Sequence, residues 1–342
     1  MFENLLPAQL QLRPSGIDPD SMGYRMLASW ITPWDFREPI DVGLIGAPCN
    51  TGSSIWLGTH EAPSAVREEF WLMATRSFDY EVDVRDLRVR DIGDVRMHLT
   101  DVVRTHANIE TTLQEIYRLN PDFVPIIIGG DHSIAAPSVR AYQRAHEQVL
   151  GLVDFDAHND LRNPAAEGPS NGTPFRQLID GGFIPGKHAV QVGLHGFLSS
   201  PALKEYADSK GLRMISAREV RRLGIQRVMD EALDQATSGT EGVYVSLDID
   251  VMDTAFAMGT GGGAAGGLEP REILEAVYRL GACPQVRALD LVELDPLRDV
   301  KGITVELAAI IIMTFIAGVR AREHGEPVQL PAWPAASGRT SA

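Results

Sequence analysis

The 342-residue chain has only two cysteines, Cys49 and Cys283, and no CxxC pair. Two isolated thiols exclude a disulfide framework and fit a reducing, cytoplasmic setting. Basic residues are scarce. Lys+Arg number 31 against 46 Asp+Glu, a formal net charge of −15, so the basic face that nucleic acid or an anionic membrane requires is not expected. The opening segment MFENLLPAQLQLRPSG has neither a basic n-region nor an apolar h-region, which excludes a secretory signal of the usual kind. Long apolar runs are missing too. The longest, Leu307 to Ala317, is interrupted by Thr314; it is too short to span a bilayer and reads as a buried helix. Repeats and low-complexity tracts are absent. What remains is an ordinary globular composition, 44% apolar and 23% charged, with enough length for a sizeable core and a small molecule as the expected partner.

Short β-rich runs alternate with helical patterns between two irregular ends. The runs are Ile40–Ile45, Phe123–Ile128, Val149–Phe155, Ala189–Gly193, Arg213–Ile215, Gly242–Ile249 and Val286–Val292. Several are continuously apolar, as strands covered on both faces are. Helical patterns lie at Ala62–Met73, Val103–Leu119, Ser138–His146, Ala202–Lys210, Ala217–Ala236, Pro270–Leu280 and Val305–Arg322. This alternation predicts a single α/β domain over residues 40–326: a doubly wound, mainly parallel sheet with helices on both faces. Residues 1–39 read as an N-terminal arm and 327–342 as a flexible tail. In such sheets ligands collect at the carboxyl ends of strands.

Three strand ends carry unusual polar residues. Ile126-Ile127-Ile128 runs into Gly129-Gly130-Asp131-His132-Ser133. Val149 to Val153 runs into Asp154-Phe155-Asp156-Ala157-His158-Asn159-Asp160. Val243-Tyr244-Val245-Ser246-Leu247 runs into Asp248-Ile249-Asp250, with Asp253 beyond. On an extended segment, Asp156, His158 and Asp160 project to one side, as do Asp248 and Asp250. Carboxylates crowded at the ends of hydrophobic strands repel one another and lose hydration, at several kcal/mol per ion unless compensated. Divalent cations supply that compensation. Asp156, Asp160, Asp248 and Asp250 bring −4, His132 and His158 are neutral ligands, and two M²⁺ ions bring +4. Each motif alone is also a common turn or cap; the three together point to a metal centre. Asp131, Asp154 and Asp253 read as supporting residues.

As a set these motifs resemble the ureohydrolase (arginase/agmatinase/formimidoylglutamase) superfamily, whose members show GGDH, DAHxD and SxDxDxxD at these relative positions. The likeness covers roughly residues 40 to 320 and includes Gly58, Pro63 and Arg67 after the first strand and the Glu293–Pro296 segment after the last. It implies an arginase-like α/β/α fold in trimers or hexamers. His132 and Asp160 would hold one metal, His158 and Asp250 the other, and Asp156 and Asp248 would bridge. The family usually uses Mn²⁺, and a nitrogen and oxygen shell also admits Ni²⁺ or Co²⁺. Glu293 falls where the family grips the substrate's guanidinium or amidinium, and the implied chemistry is attack of a metal-bridging hydroxide on the amidine carbon.

The sequence departs from that pattern at two places. Where arginases and agmatinases carry a proton-shuttling His-Gly pair, this chain reads Ser170-Asn171-Gly172-Thr173-Pro174-Phe175-Arg176, similar to the formimidoylglutamase branch. Asn171 cannot act as a general acid near neutral pH, so a carboxylate such as Asp160, a metal-held water, or His60 or His195 must serve. The family's DxxDP reads Asp253-Thr254, followed by a Gly/Ala-rich loop to Gly267 that lacks the usual proline and predicts a looser rim. A guanidino compound yielding urea is the leading expectation, with Trp30, Trp34 and Trp56 as a candidate cation-facing wall. Formimidoylglutamate, with Arg162 and Arg176 as carboxylate clamps, is the alternative. A non-catalytic scaffold paired with a paralogous subunit is the reading from a different class, and a single-zinc deacetylase fits less well.

Overall fold

Strands whose every position is apolar end up covered on both faces, and this requirement organises the whole chain. A computed structural model describes residues 26–55 and 57–323. Nine strands form one sheet: β1 Thr32–Pro33, β2 Val42–Ala47, β3 Val89–Asp94, β4 Val124–Gly129, β5 Leu150–Phe155, β6 Ala189–Leu194, β7 Arg213–Ser216, β8 Gly242–Asp248 and β9 Val286–Val292. All pairings are parallel, in the order β1-β3-β2-β4-β9-β8-β5-β6-β7. Every residue of β2, β5 and β8 is buried. Between β4 and β5 the chain skips over the positions later filled by β8 and β9. The carboxyl ends of β4, β9, β8 and β5 therefore meet at a switch point, where open α/β sheets bind ligands.

One core lies between the sheet and helices α2 (Ala62–Glu69), α8 (Ala217–Leu223), α9 (Ile225–Thr237), α10 (Pro270–Ala282) and α11 (Ile303–Glu323). The other face is covered by α3 (Val102–Leu119), α4 (Ala135–His146), α6 (Pro174–Asp180) and α7 (Pro201–Lys210). Two short helices, α1 (Leu27–Trp30) and α5 (Pro164–Glu167), complete the set. The expected α/β/α architecture is present, with local differences. β3 reads Val-Arg-Asp-Ile-Gly-Asp and β1 is two residues long, so neither shows the apolar run that marks an inner strand; both lie at one side of the sheet. The helix expected over Ala217–Ala236 is two, broken at Gly224 with φ 83°. The segment 303–322 is long and apolar enough to cross a membrane, with mean hydropathy 1.9, yet 78% of its apolar window is buried within the protein. The terminal 25 and 19 residues, Trp56 included with them, lie outside the described residues.

Helices α10 and α11 cross closely because both carry glycine at the contact. A Cβ on Gly281 would lie 2.3 Å from the Phe315 carbonyl oxygen, and one on Gly318 would lie 2.3 Å from that of Tyr278. Gly318→Leu is expected to force the helices apart and cost about 1–3 kcal/mol or more, read as a lower urea midpoint at an unchanged slope.

Candidate active site

Three strand ends close with the same turn. The Asp131 Oδ1 accepts from the Ser133 amide at 3.0 Å, the Asp156 Oδ1 from that of His158 at 2.5 Å, and the Asp248 Oδ1 from that of Asp250 at 2.8 Å. Short aspartate side chains favour such turns by capturing the amide two residues on. The turns bring the motif residues together, which corrects the expectation of a pleated alternation. β5 stops at Phe155, Asp160 sits at φ 48°, and Asp250 lies in a 3-10 turn, Ile249–Val251.

Four of the six predicted ligand-type residues, His132, Asp156, Asp248 and Asp250, are buried, Asp160 and His158 are partly so, and all six converge. The His132 Nδ1 is 3.0 Å from Asp160 Oδ2, 3.3 Å from Asp248 Oδ2 and 3.4 Å from Asp156 Oδ2. The His158 Nδ1 is 3.0 Å from Asp250 Oδ2 and 3.3 Å from Asp156 Oδ1. Asp156 thus turns one oxygen to each imidazole. The ligand atoms of His132, Asp156 and Asp160 lie within 4.8 Å of one another, as do those of Asp156, His158 and Asp250.

These residues fit a pair of hard dications. The His132 Nδ1 and the Asp156 Oδ2 are buried without a hydrogen-bond partner, a costly state for lone pairs unless a cation meets them. Burial pushes the Asp156 carboxyl up to about 6, with Asp160 and Asp250 adding repulsion. Burial and the neighbouring Asp250 hold Asp248 well above the usual carboxylate range. On His158, burial opposes the proton but the Asp156 and Asp250 carboxylates outweigh it, raising the ring to about 12. The imidazoles are thus drawn toward protonation to offset negative charge, a role that two metal ions would take over.

Glu293 follows β9 at φ 61°, held there by its amide donating to the Gly130 carbonyl at 2.8 Å. Its Oε1 accepts from the His132 amide at 2.8 Å and from Asn171 Nδ2 at 3.2 Å. Burial, reinforced by Asp131, pushes its carboxyl up to about 8. The Asn171 amide donates to the Gly52 carbonyl at 2.8 Å, and the Gly52 amide donates to Asp131 Oδ2 at 2.9 Å. The Asn171 Oδ1 is buried and unpartnered. Asp131, Gly52, Asn171, Glu293 and His132 thereby form a closed ring of contacts.

A cavity of about 330 Å³ opens over this centre. Its lining includes the carboxylates of Asp160, Asp248, Asp250 and Glu293, the aliphatic side chains of Ile55, Leu57, Leu198 and Leu203, and Arg162 and Asn171. Arg176 is not among the lining residues; its guanidinium pairs with Asp180 at 3.2 Å and lies 4.1 Å from the centre of the Tyr206 ring. Trp30 and Trp34 do not form a cation-facing wall, because they are packed in the two cores. His60 faces Asn50 and Glu61. His195 spans the Gly193 and Ala264 carbonyls, and neither histidine lines the cavity. The loop beyond Asp253 is firmly held rather than loose. Besides His195, Arg221 donates to the Gly266 and Gly267 carbonyls, and Asp253 Oδ2 accepts from the Gly266 amide. A larger, open groove of about 730 Å³ between Lys187 and Ser238 contains none of the motif residues.

Sequence reasoning missed the residues behind His132. Its Nε2 faces Ser246 Oγ at 2.9 Å, and Asp290 and Tyr244 extend that chain. A signal was present: Asp290 is an acidic residue inside the apolar run Val286–Val292.

A parallel α/β sheet that gathers two imidazoles and four carboxylates at its carboxyl edge has the framework of a dinuclear metallohydrolase. The chain belongs to the arginase family, whose model matches residues 40–318, and it is a hydrolase acting on C–N bonds of linear amidines. The formimidoylglutamase of Halalkalibacterium halodurans is 36% identical over 286 residues, covering 84% of this chain and 89% of that protein. The crystal structure of the Bacillus subtilis formimidoylglutamase superposes with a TM-score of 0.85 at 31% identity, covering 90% of this chain and 96% of that one. A Trypanosoma cruzi formiminoglutamase solved with Mn²⁺ gives 0.80 at 25% identity, covering 87% and 99%.

Protein dialysed against Mn²⁺ is expected to retain about two ions per chain by metal analysis, and chelation is expected to lower its thermal midpoint. A second outcome concerns His106, whose Nε2 lies 2.9 Å from Ser133 Oγ. Burial depresses its ring to about 4. The unfolded chain therefore binds the proton first, and stability is lost as pH falls from about 6.5 toward 4, at up to about 1.4 kcal/mol per pH unit. Urea midpoints of metal-free protein across that range should show this slope, and His106→Asn should flatten it relative to the parent.

Proposed function

We propose that the chain hydrolyses a linear amidine carrying a carboxylate at its far end, of the formimidoylglutamate kind, with release of formamide. In this reading His132, Asp156, His158, Asp160, Asp248 and Asp250 would together hold a pair of divalent ions. Mn²⁺ suits the all-nitrogen and oxygen donor set. When bound, the ions supply a nucleophile at neutral pH by lowering the pKa of water.

The chain's own residues do the rest. Glu293, anchored by the His132 amide and Asn171, accepts paired hydrogen bonds from the amidine N–H groups. Asn171 cannot shuttle a proton; its role is to hold Glu293. Asp160, lining the cavity, is the carboxylate placed to take up the proton that the attacking water gives up and to pass it to the leaving nitrogen.

The observation that carries the substrate assignment is Arg162, the one Arg or Lys among the described residues lining the cavity. Its Nη1 pairs with Glu167 at 2.9 Å, and its Nε/Nη2 edge turns toward Gly172, where a Cβ would lie 2.0 Å from both nitrogens. A substrate carboxylate entering the cavity would share this guanidinium with Glu167. The relatives named formimidoylglutamase support the same substrate class. The aliphatic side chains of Ile55, Leu57, Leu198 and Leu203 in the cavity lining favour a second reading, a guanidino compound with an apolar chain.

Products separate the two: formamide from a formimidoyl substrate, urea from a guanidino one. The test is a product screen against formimidoylglutamate, guanidinobutyrate, agmatine, arginine and alkylated guanidines. Arg162→Met is expected to raise KM for the carboxylate-bearing substrate about 10–100-fold, the worth of a charge-assisted contact, with agmatine little affected. Asp248→Ala is expected to abolish turnover of every substrate. Faster turnover of agmatine than of any carboxylate-bearing amidine would overturn the assignment.

A further inference from the structure

Donor and acceptor roles behind His132 close in only one direction. The β8 and β9 ladder sets Ser246 opposite Asp290, and both are fully buried. Asp290 Oδ1 accepts from Ser246 Oγ at 2.6 Å, and its Oδ2 accepts from the Tyr244 hydroxyl at 2.9 Å. An ionised carboxylate can only accept, so both hydroxyl protons point toward Asp290. Ser246 then has only lone pairs to offer His132 Nε2, 2.9 Å away. The proton of the neutral imidazole must reside on Nε2, which leaves Nδ1 bare toward Asp156, Asp160 and Asp248. Asp154 is no substitute, because its Oδ1 is 3.9 Å from Nε2, beyond hydrogen-bond reach.

We propose that Ser246 and Asp290 are positioning residues that lock His132 in the tautomer able to bind metal, and that Tyr244 steadies Asp290 in that role. The proposal rests on His132 being a metal ligand. It acts on one ion of the pair. His158, whose side chain is 28% exposed, is backed by no comparable chain among the described residues. Ordering of a ligand imidazole by its outer hydrogen bond commonly changes metal affinity 10–100-fold.

The test compares the full-length parent with Ser246→Ala, Asp290→Ala, Ser246→Thr and Tyr244→Phe. Equilibrium Mn²⁺ binding gives the affinity of each ion, and electron paramagnetic resonance distinguishes coupled Mn²⁺ pairs from isolated ions. In Ser246→Ala and Asp290→Ala, one ion should bind about 10–100-fold more weakly while the other keeps its parental affinity. The coupled signal should then give way to that of isolated Mn²⁺ at concentrations that pair the parent. Ser246→Thr, which keeps the hydroxyl, should restore the pair. Tyr244→Phe, which keeps the Ser246–Asp290 bond, should weaken the same ion by a smaller factor, and it decides the matter if the alanine variants do not fold. Melting of the metal-free proteins separates lost folding from lost affinity. Parental affinity for both ions in Ser246→Ala, or in Tyr244→Phe where the alanine variants do not fold, or equal weakening of both ions, would overturn the lock. A parent that binds no Mn²⁺ would instead overturn the metal reading on which the lock rests.

Discussion

Mutual repulsion among buried carboxylates is the constraint on which the rest of this structure depends. Asp156, Asp248 and Asp250 lie at or below 2% exposure, with Asp160 and two imidazoles against them. Taking one such charge out of water costs several kcal/mol, and bringing four together multiplies the cost. A fold tolerates this only if the same residues capture compensating positive charge. The carboxyl edge of a parallel sheet suits that task, because turns following several strands can bring short acidic side chains to one point while the strands themselves stay apolar.

Holding the group together requires rigid backbone. Aspartate turns close three strand ends, and two non-glycine residues, Asp160 and Glu293, adopt left-handed conformations. Such conformations cost of order 1–3 kcal/mol each and persist where the surroundings over-determine them. For Glu293 the surroundings are the Gly130 carbonyl, the His132 amide and Asn171. Glu293 and His132 are thus parts of one ring of contacts, so a displacement of either reaches the other.

The metal centre and the rim answer different demands. Two histidines and four aspartates offer a donor set suited to generating a nucleophile, whatever amidine is bound. Around them, Arg162 and the aliphatic side chains of Ile55, Leu57, Leu198 and Leu203 line the same cavity. Asn171 belongs to both zones. Its amide cannot transfer a proton and instead donates to Glu293.

By itself the sequence determined the class of fold, the strand ends that carry the chemistry, and the family resemblance. Each of these rests on local pattern: continuous apolar runs, glycine and proline at junctions, and acidic residues where hydrophobic strands stop. The strand Val89–Asp94 was not legible because its alternating charges resemble a loop, and Gly224 broke a helix whose apolar periodicity ran through it. Only the tertiary structure decided how the motif residues converge, by turns rather than by the pleat. It also separated Arg162 at the cavity from Arg176 at Asp180, and it brought Ser246 opposite Asp290 behind His132. These outcomes depend on strand order and register, where residues far apart in sequence become neighbours through packing that no local pattern encodes.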